Sequence, residues 1–276
     1  MKYLNLGCGK TYSTEEVWTN IDFIGTGKEV IVHNLLNGIP YEDNTFDLAY
    51  SSHVLEHFTK DDGELFVAEC FRVLKPGGVL RIVVPDLEAI VRNYIRLLDE
   101  LIEDPTDQVA KSNYMWILLE MYDQTVRTFG GGNMGKYLFK KEIINEDFVI
   151  KRLGEEAGKI RRSLLNSVFD ENKNNRDTFS KKILSSLKDK AKIYLFKKLN
   201  TSKKAVSIGN YRLSGEVHQW MYDRYSLSEL LSNFGGKQIK VMDGYTSFIE
   251  NWSIYELDVI ENTVRKPDSL FMEAMK

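Results

Sequence analysis

Apolar residues along this chain follow two rhythms. Near the start they gather in short runs bounded by turn residues. Tyr3-Leu4-Asn5-Leu6 ends abruptly at Gly7-Cys8-Gly9, which reads as a buried strand entering a tight turn poor in side chains. Val17–Phe23, Glu29–His33 and Phe46–Ser51 predict three more strands, with Pro40, Asp43 and Asn44 as turn residues between the last two. Leu65, Phe66, Ala68, Cys70, Phe71, Val73 and Leu74 then predict a helix, capped by Asp61 or Asp62 and stopped at Lys75-Pro76-Gly77-Gly78. Val79–Val84 is a near-continuous apolar strand interrupted by Arg81. Strands alternating with helices imply a mostly parallel, doubly wound sheet. The first strand is expected mid-sheet, with later strands added on both sides.

At Asp86 the rhythm changes. Leu87, Ile90, Val91, Tyr94, Ile95, Leu98, Leu101 and Ile102 recur at helical spacing. Asn113–Val126 is another helical stretch, followed by the glycine-rich loop Phe129–Gly135. Residues 142–199 are polar, charged and helix-prone. Strand patterns return at Gln238–Met242 and Ser269–Met275, after a helix over Tyr225–Phe234 started by Ser226 or Ser228. Residues 87–215 are therefore expected to form a helical insertion, cap or lid on a core built from 1–86 and 216–276, with Gly130–Gly135 as its hinge.

Composition narrows the class. With 276 residues, 43% hydrophobic and 28% charged, the chain has the balance of a globular protein. No apolar run approaches the ~18 residues that span a bilayer, and with a strand at its opening no signal peptide is expected. Cys8 and Cys70 suit reduced thiols and a cytoplasmic setting. No cysteine–histidine cluster has zinc spacing. Nine lysines within 181–204 (Lys181, Lys182, Lys188, Lys190, Lys192, Lys197, Lys198, Lys203, Lys204) read first as a solvated helix face, and second as peripheral contact with an anionic membrane. The net charge of −3, with no recognised module, disfavours nucleic acid.

The candidate chemistry sits at strand ends. A dinucleotide fingerprint needs a third glycine three residues after Gly9, and Tyr12 stands there. Without a marked helix after the turn, no pyrophosphate site is predicted. Asp22 ends the second strand, where a carboxylate can accept from two ribose hydroxyls. Of the four histidines, His53, His57 and His218 fall in motif-like stretches and are candidate bases. Each is weighed against bonding a nearby backbone group. Glu56 beside His57, with Asp61 near, raises a divalent cation only as a minor reading, by likeness to proteins that hold one there, and no metal ligand is assigned. Trp220 offers a flat surface of the kind sugars stack on, and Tyr222 with Asp223 could face an acceptor, unless these aromatics are core.

Together, Gly7-Cys8-Gly9, Asp22, the run Pro40–Asp47 leading to Ser51-Ser52-His53-Val54-Leu55-Glu56-His57, and Arg72-Val73-Leu74-Lys75-Pro76-Gly77-Gly78 resemble the class I S-adenosylmethionine-dependent methyltransferases, most closely the small type 11 group. The resemblance is strong over 1–86 and looser over 215–276. It implies an α/β, Rossmann-like fold: a seven-stranded, mostly parallel sheet with helices on both faces, a helical insertion, and an antiparallel last strand. It also implies that Gly7, Cys8 and Gly9 pass under the methionine part of the cofactor. Asp22 would hold the ribose, with Ile21 and Phe23 flanking the adenosine. Asn34 and Leu35 would meet the adenine, and Ser51, Ser52 and His53 would line the cofactor and acceptor side. Departures are Asn5, where the family often has an acidic residue, Thr11, where it often has glycine, and Asn34, where an acidic residue commonly meets the adenine amine. Gly215–Asp223 and the closing Pro267–Ala274 resemble a branch associated with bacterial surface-polysaccharide synthesis. The expected activity is O-methylation of a small-molecule or glycan acceptor. The alternatives are a catalytically silent cofactor-binding scaffold in a glycan-assembly complex, or a protein or nucleic-acid methyltransferase.

Overall fold

A computed structural model describes residues 1–155, 157–163 and 203–276. Its centre is a seven-stranded sheet. Strands β1 (Tyr3–Leu6), β2 (Trp18–Asp22), β3 (Val30–Val32), β4 (Phe46–Ser52) and β5 (Leu74–Pro85) run parallel. Strand β6 (Lys237–Met242) is followed by a small antiparallel hairpin, β7 (Val259–Ile260) and β8 (Thr263–Val264), and then by β9 (Ser269–Met275). The sheet order is β3-β2-β1-β4-β5-β9-β6, so β1 lies inside the sheet. Strand β9 slots antiparallel between β5 and β6, as the resemblance implies.

One face packs under helices α1 (Lys60–Val73) and α8 (Arg224–Asn233), whose Phe66, Val67, Cys70, Leu227 and Leu231 meet Leu4, Leu6, Leu80 and Ile82. Thr59 caps α1 by accepting from Asp62 N, replacing the expected Asp61 or Asp62. Asp223 caps α8, and Ser226 returns its hydroxyl to the Asp223 N–H in a reciprocal box. Ser226 is thus the partner of the cap.

The opposite face is covered mainly by 243–265, where the helical element is the 3-10 turn Trp252–Tyr255. Arg81 holds this segment down. Its guanidinium donates to Asp258 at 2.7 Å, to Glu273 at 2.8 Å, and to the carbonyls of Asp243 and Thr246. Tyr50 and Trp252 also donate to Asp258. A fully buried arginine is tolerable because its charge and its forked donors meet fixed acceptors.

The helical region after Asp86 has its own core. Helices α2 (Leu87–Glu103), α3 (Gln108–Val126), α4 (Gly132–Leu138) and α5 (Glu146–Leu153) enclose Ile90, Leu97, Trp116, Ile117, Met134 and Val149. Further helix lies at 157–163 (α6) and 203–212 (α7). Asp86 caps α2 through Ala89 N. Part of the glycine-rich loop is helix instead. Asp123 of α3 accepts from Asn133 N and Met134 N at the start of α4. A Cβ on Gly132 would stand 2.1 Å from the same carboxylate. The turn is therefore clamped to α3, which argues against a hinge there. The chain re-enters the core at Tyr222, which pairs with Asp86. The lysine-rich stretch over 181–202 lies outside the described residues.

Candidate active site

Parallel strands β1, β2 and β4 end on one edge, and the loops after them build the site. Gly7 has φ +67°, and a Cβ there would stand 2.3 Å from Val54 Cγ2. Only glycine lets β1 turn this tightly against the loop after β4. The N–H donors of the turn point inward. Gly7 N and Cys8 N donate to the Ile21 carbonyl at 2.8 and 3.1 Å, and Gly9 N donates to Asp22 Oδ2 at 2.8 Å. A phosphate-binding turn leaves such donors for the anion. This one has spent them on β2, which fits a ligand without phosphate, such as a sulfonium nucleoside. Nothing stands within 4 Å of a Cβ built on Gly9, so the far side of the turn is open.

A cavity of about 200 Å³ adjoins the turn. Asn5, Gly7, Cys8, Gly9, Ser52 and His53 line one side of it, and Asp258, Arg265, Lys266 and Phe271 the other. Burial, with Asp22 beside it, pushes the Cys8 thiol up to about 12, so Cys8 lines the cavity as an inert thiol. Asp22 Oδ1 takes the Ile24 N–H at 2.8 Å, which leaves lone pairs on both oxygens for hydroxyl donors. Phe23, next to it, is 66% exposed.

Several expected contacts need correction. Ile21 is fully buried in the core under α1, and serves the turn through its carbonyl. Ser51 is buried too, because alternate residues of β4 face opposite ways and only Tyr50 and Ser52 turn toward the cavity. Asn34 caps the 3-10 turn Leu35–Asn37, its Oδ1 accepting from Leu36 N at 3.0 Å, so one lone pair is already used. Leu35 packs against the core. Tyr222 is core and Asp223 is a cap, which removes both from the acceptor side. Trp220 stays 43% exposed, with Lys60 Nζ 5.9 Å from its ring centre.

Three histidines converge on Glu56. His53 has φ +56°, a strained value for a side chain of its size. Its Nε2 lies 2.9 Å from Ser269 Oγ, and its Nδ1 faces Glu56 Oε1 at 3.1 Å. His57 and His218 stack edge to face with centres 4.7 Å apart. His218 Nε2 is 4.0 Å from Glu56 Oε1. His218 arrives from the return leg of the insertion, fixed by its N–H to Gln124 O, while Gln219 N donates to Glu56 O. Burial pushes the Glu56 carboxyl up, but the contact with His53 and the neighbouring imidazoles outweigh it and hold the group below 4.5. Burial pushes the His57 imidazole down, and takes His218 to about 3 despite the pull of Glu56. Both rings are neutral near pH 7. The cavity-lining Asp258, Arg265 and Lys266 escape sequence reasoning, since no pattern marks a loop that folds back over the sheet.

Part of the chain is similar in sequence to known proteins. Residues 4–82 match a family described as "Methyltransferase domain". Similar curated proteins include a probable methyltransferase, ltbC, of Aspergillus luteorubrus, 46% identical over 48 residues, which are 17% of each chain. A probable S-adenosylmethionine-dependent methyltransferase of Mycolicibacterium smegmatis is 41% identical over 56 residues, 20% of this chain and 21% of that one. The chain thus spans about a fifth of the length of these relatives. A solved S-adenosylmethionine-dependent methyltransferase of Thermotoga maritima aligns with all of this chain and 82% of its own, at 12% identity and a TM-score of 0.39. One of Archaeoglobus fulgidus aligns with all of this chain and 86% of its own, at 12% identity and 0.38. Scores this low carry no argument. The family match likens the opening β/α unit, residues 4–82, to a methyltransferase domain.

Proposed function

We propose that this chain is an S-adenosylmethionine-dependent methyltransferase that methylates an oxygen of a sugar or glycan-related small molecule, in surface-polysaccharide synthesis. The observation that carries the activity is the matched domain's open glycine turn, with inward-pointing donors, beside Asp22 and His53. The donor brings a methyl group on a sulfonium. Gly7–Gly9 would leave room for it, Asp22 would accept from its ribose hydroxyls, and exposed Phe23 would offer the base a flat face. His53 takes the proton from an acceptor hydroxyl in the cavity. Glu56 facing Nδ1 keeps the proton there and leaves Nε2 as the base, with Ser269 as its resting partner. Asp258, Arg265, Lys266 and Phe271, on the cavity wall, keep bulk water from the reacting atoms. The sugar reading draws support from exposed Trp220 and from the resemblance of Gly215–Asp223.

The test is transfer of labelled methyl from S-adenosylmethionine to a panel of sugars, nucleotide-sugars and glycans. Label in a sugar hydroxyl supports the reading. Tight adenosylhomocysteine binding without any methylated product favours the silent scaffold, and failure to bind adenosylhomocysteine overturns the cofactor site.

A further inference from the structure

Glu56, His57 and His218 each bring a metal-capable atom within 4.8 Å of those of the other two. Glu56 is 0% exposed and His218 5%. Glu56 Oε2 and the Nδ1 atoms of His57 and His218 are buried without a hydrogen-bond partner, and Glu56 Oε1 meets only His53 Nδ1, at 3.1 Å. Three such atoms left dry are costly, most of all on a carboxylate. The backbone aims the trio without help from these atoms. Glu56 and His57 sit on the 3-10 turn after β4, and His218 on the irregular leg that leaves the insertion. Gln219 N to Glu56 O at 2.7 Å, Gln219 Nε2 to His57 O at 2.9 Å and His218 N to Gln124 O at 3.0 Å lock the two segments together. The donors are thus held in a triangle that nothing among the described residues fills. Asp61, the third group the sequence offers, is not among them.

We infer that Glu56, His57 and His218 bind a divalent transition-metal ion of the zinc or cobalt type. Two imidazoles and one carboxylate suit such ions, whereas magnesium and calcium take mostly oxygen. Metal bonds of about 2.1 Å place tetrahedral donors roughly 3.4 Å apart, so the trio closes slightly on the ion. His53 then supports the site from the cavity side, its Nδ1 against Oε1 of the ligating carboxylate. The ion joins the turn after β4 to the insertion's return leg. The proposal does not depend on methyl transfer. The competing reading is a dry imidazole–carboxylate cluster that rearranges to share protons.

The probe is Co²⁺, added to the untagged, chelator-stripped full chain, with visible absorption and paramagnetically shifted proton resonances as readouts. The expected result is one equivalent bound, displaced by Zn²⁺, with shifted ring N–H signals from two histidines. Glu56→Gln, His57→Gln and His218→Gln each weaken binding at least tenfold, while His33→Gln, whose ring is bonded to Gly38 O, binds as the parent does. Urea midpoints and near-ultraviolet dichroism establish that each variant is folded. Should a variant not fold, the two-histidine signature of the unmodified chain decides. No cobalt spectrum, signals from fewer than two histidines, or unchanged binding in folded His57→Gln and His218→Gln overturns the site.

Discussion

At the residue scale, Asp22 and His53 carry the proposed chemistry. Asp22 ties the glycine turn to β2 through Gly9 N and fixes the residue after the strand through Ile24 N, and in the proposed function its spare lone pairs accept from a ribose. Asp22→Ala is expected to weaken adenosylhomocysteine binding by about 1.5–3 kcal/mol, the scale of a hydrogen bond to a charged group. Calorimetry showing unchanged affinity would remove Asp22 from the site. His53 stands between Glu56 and Ser269. His53→Ala is expected to lower the turnover rate by roughly 10²–10⁴ with donor affinity kept, as for loss of a general base. Turnover at the parent rate with saturating donor would exclude it. The placing of both at strand ends was legible before any fold was known, because Asp22 closes one strand pattern and His53 closely follows another. The burial of Ile21 and Ser51 was not, since one apolar run does not say which alternate residues face which layer.

At the element scale, α1 is joined to the loop before β4 by a charged clamp. Glu69 accepts from Arg72 at 2.6 and 2.8 Å and from Ile39 N at 2.8 Å, and Arg72 also reaches Ile39 O, Tyr41 O and Asp43. The Arg72 guanidinium holds the Glu69 carboxyl below its ordinary value of 4.5. Since the folded state binds this proton less readily than the unfolded chain, the contribution is complete above about pH 4.5 and is lost as pH falls through the native value. Glu69→Gln is expected to flatten the acid side of the stability curve, measured by urea unfolding from neutral pH downward. An acid limb of unchanged steepness would contradict the clamp. Helix α2 shows how far periodicity reaches. Its stripe is visible in sequence, yet Leu97 is fully buried while Ile95 and Ile102 are mostly exposed, because the partner helices, rather than the stripe alone, choose the buried side.

At the scale of the whole molecule, the second face of the sheet hangs on one cation. Arg81 reads in sequence as a break in an apolar strand. In the fold it gathers Asp258 and Glu273, 177 and 192 residues away along the chain. Arg81→Met leaves two buried carboxylates without their cation, and is expected to cost about 3–5 kcal/mol, as for breaking a buried pair from one side. Denaturant unfolding with a loss below 1 kcal/mol would mean that water or rearrangement replaces the ion pairs. The same segment carries Asp258 to the cavity wall, so Arg81 couples stability to the shape of the site.

The sequence alone determined the alternation of strands and helices, the bare turn after β1, the acid at the tip of β2 and the helical insertion, because each is a local pattern of spacing and side-chain chemistry. Only the tertiary structure decided what covers the back of the sheet, which groups wall the cavity, and that His218 meets Glu56 and His57. Those contacts join residues far apart in the chain, and no local periodicity encodes where a distant loop comes to rest.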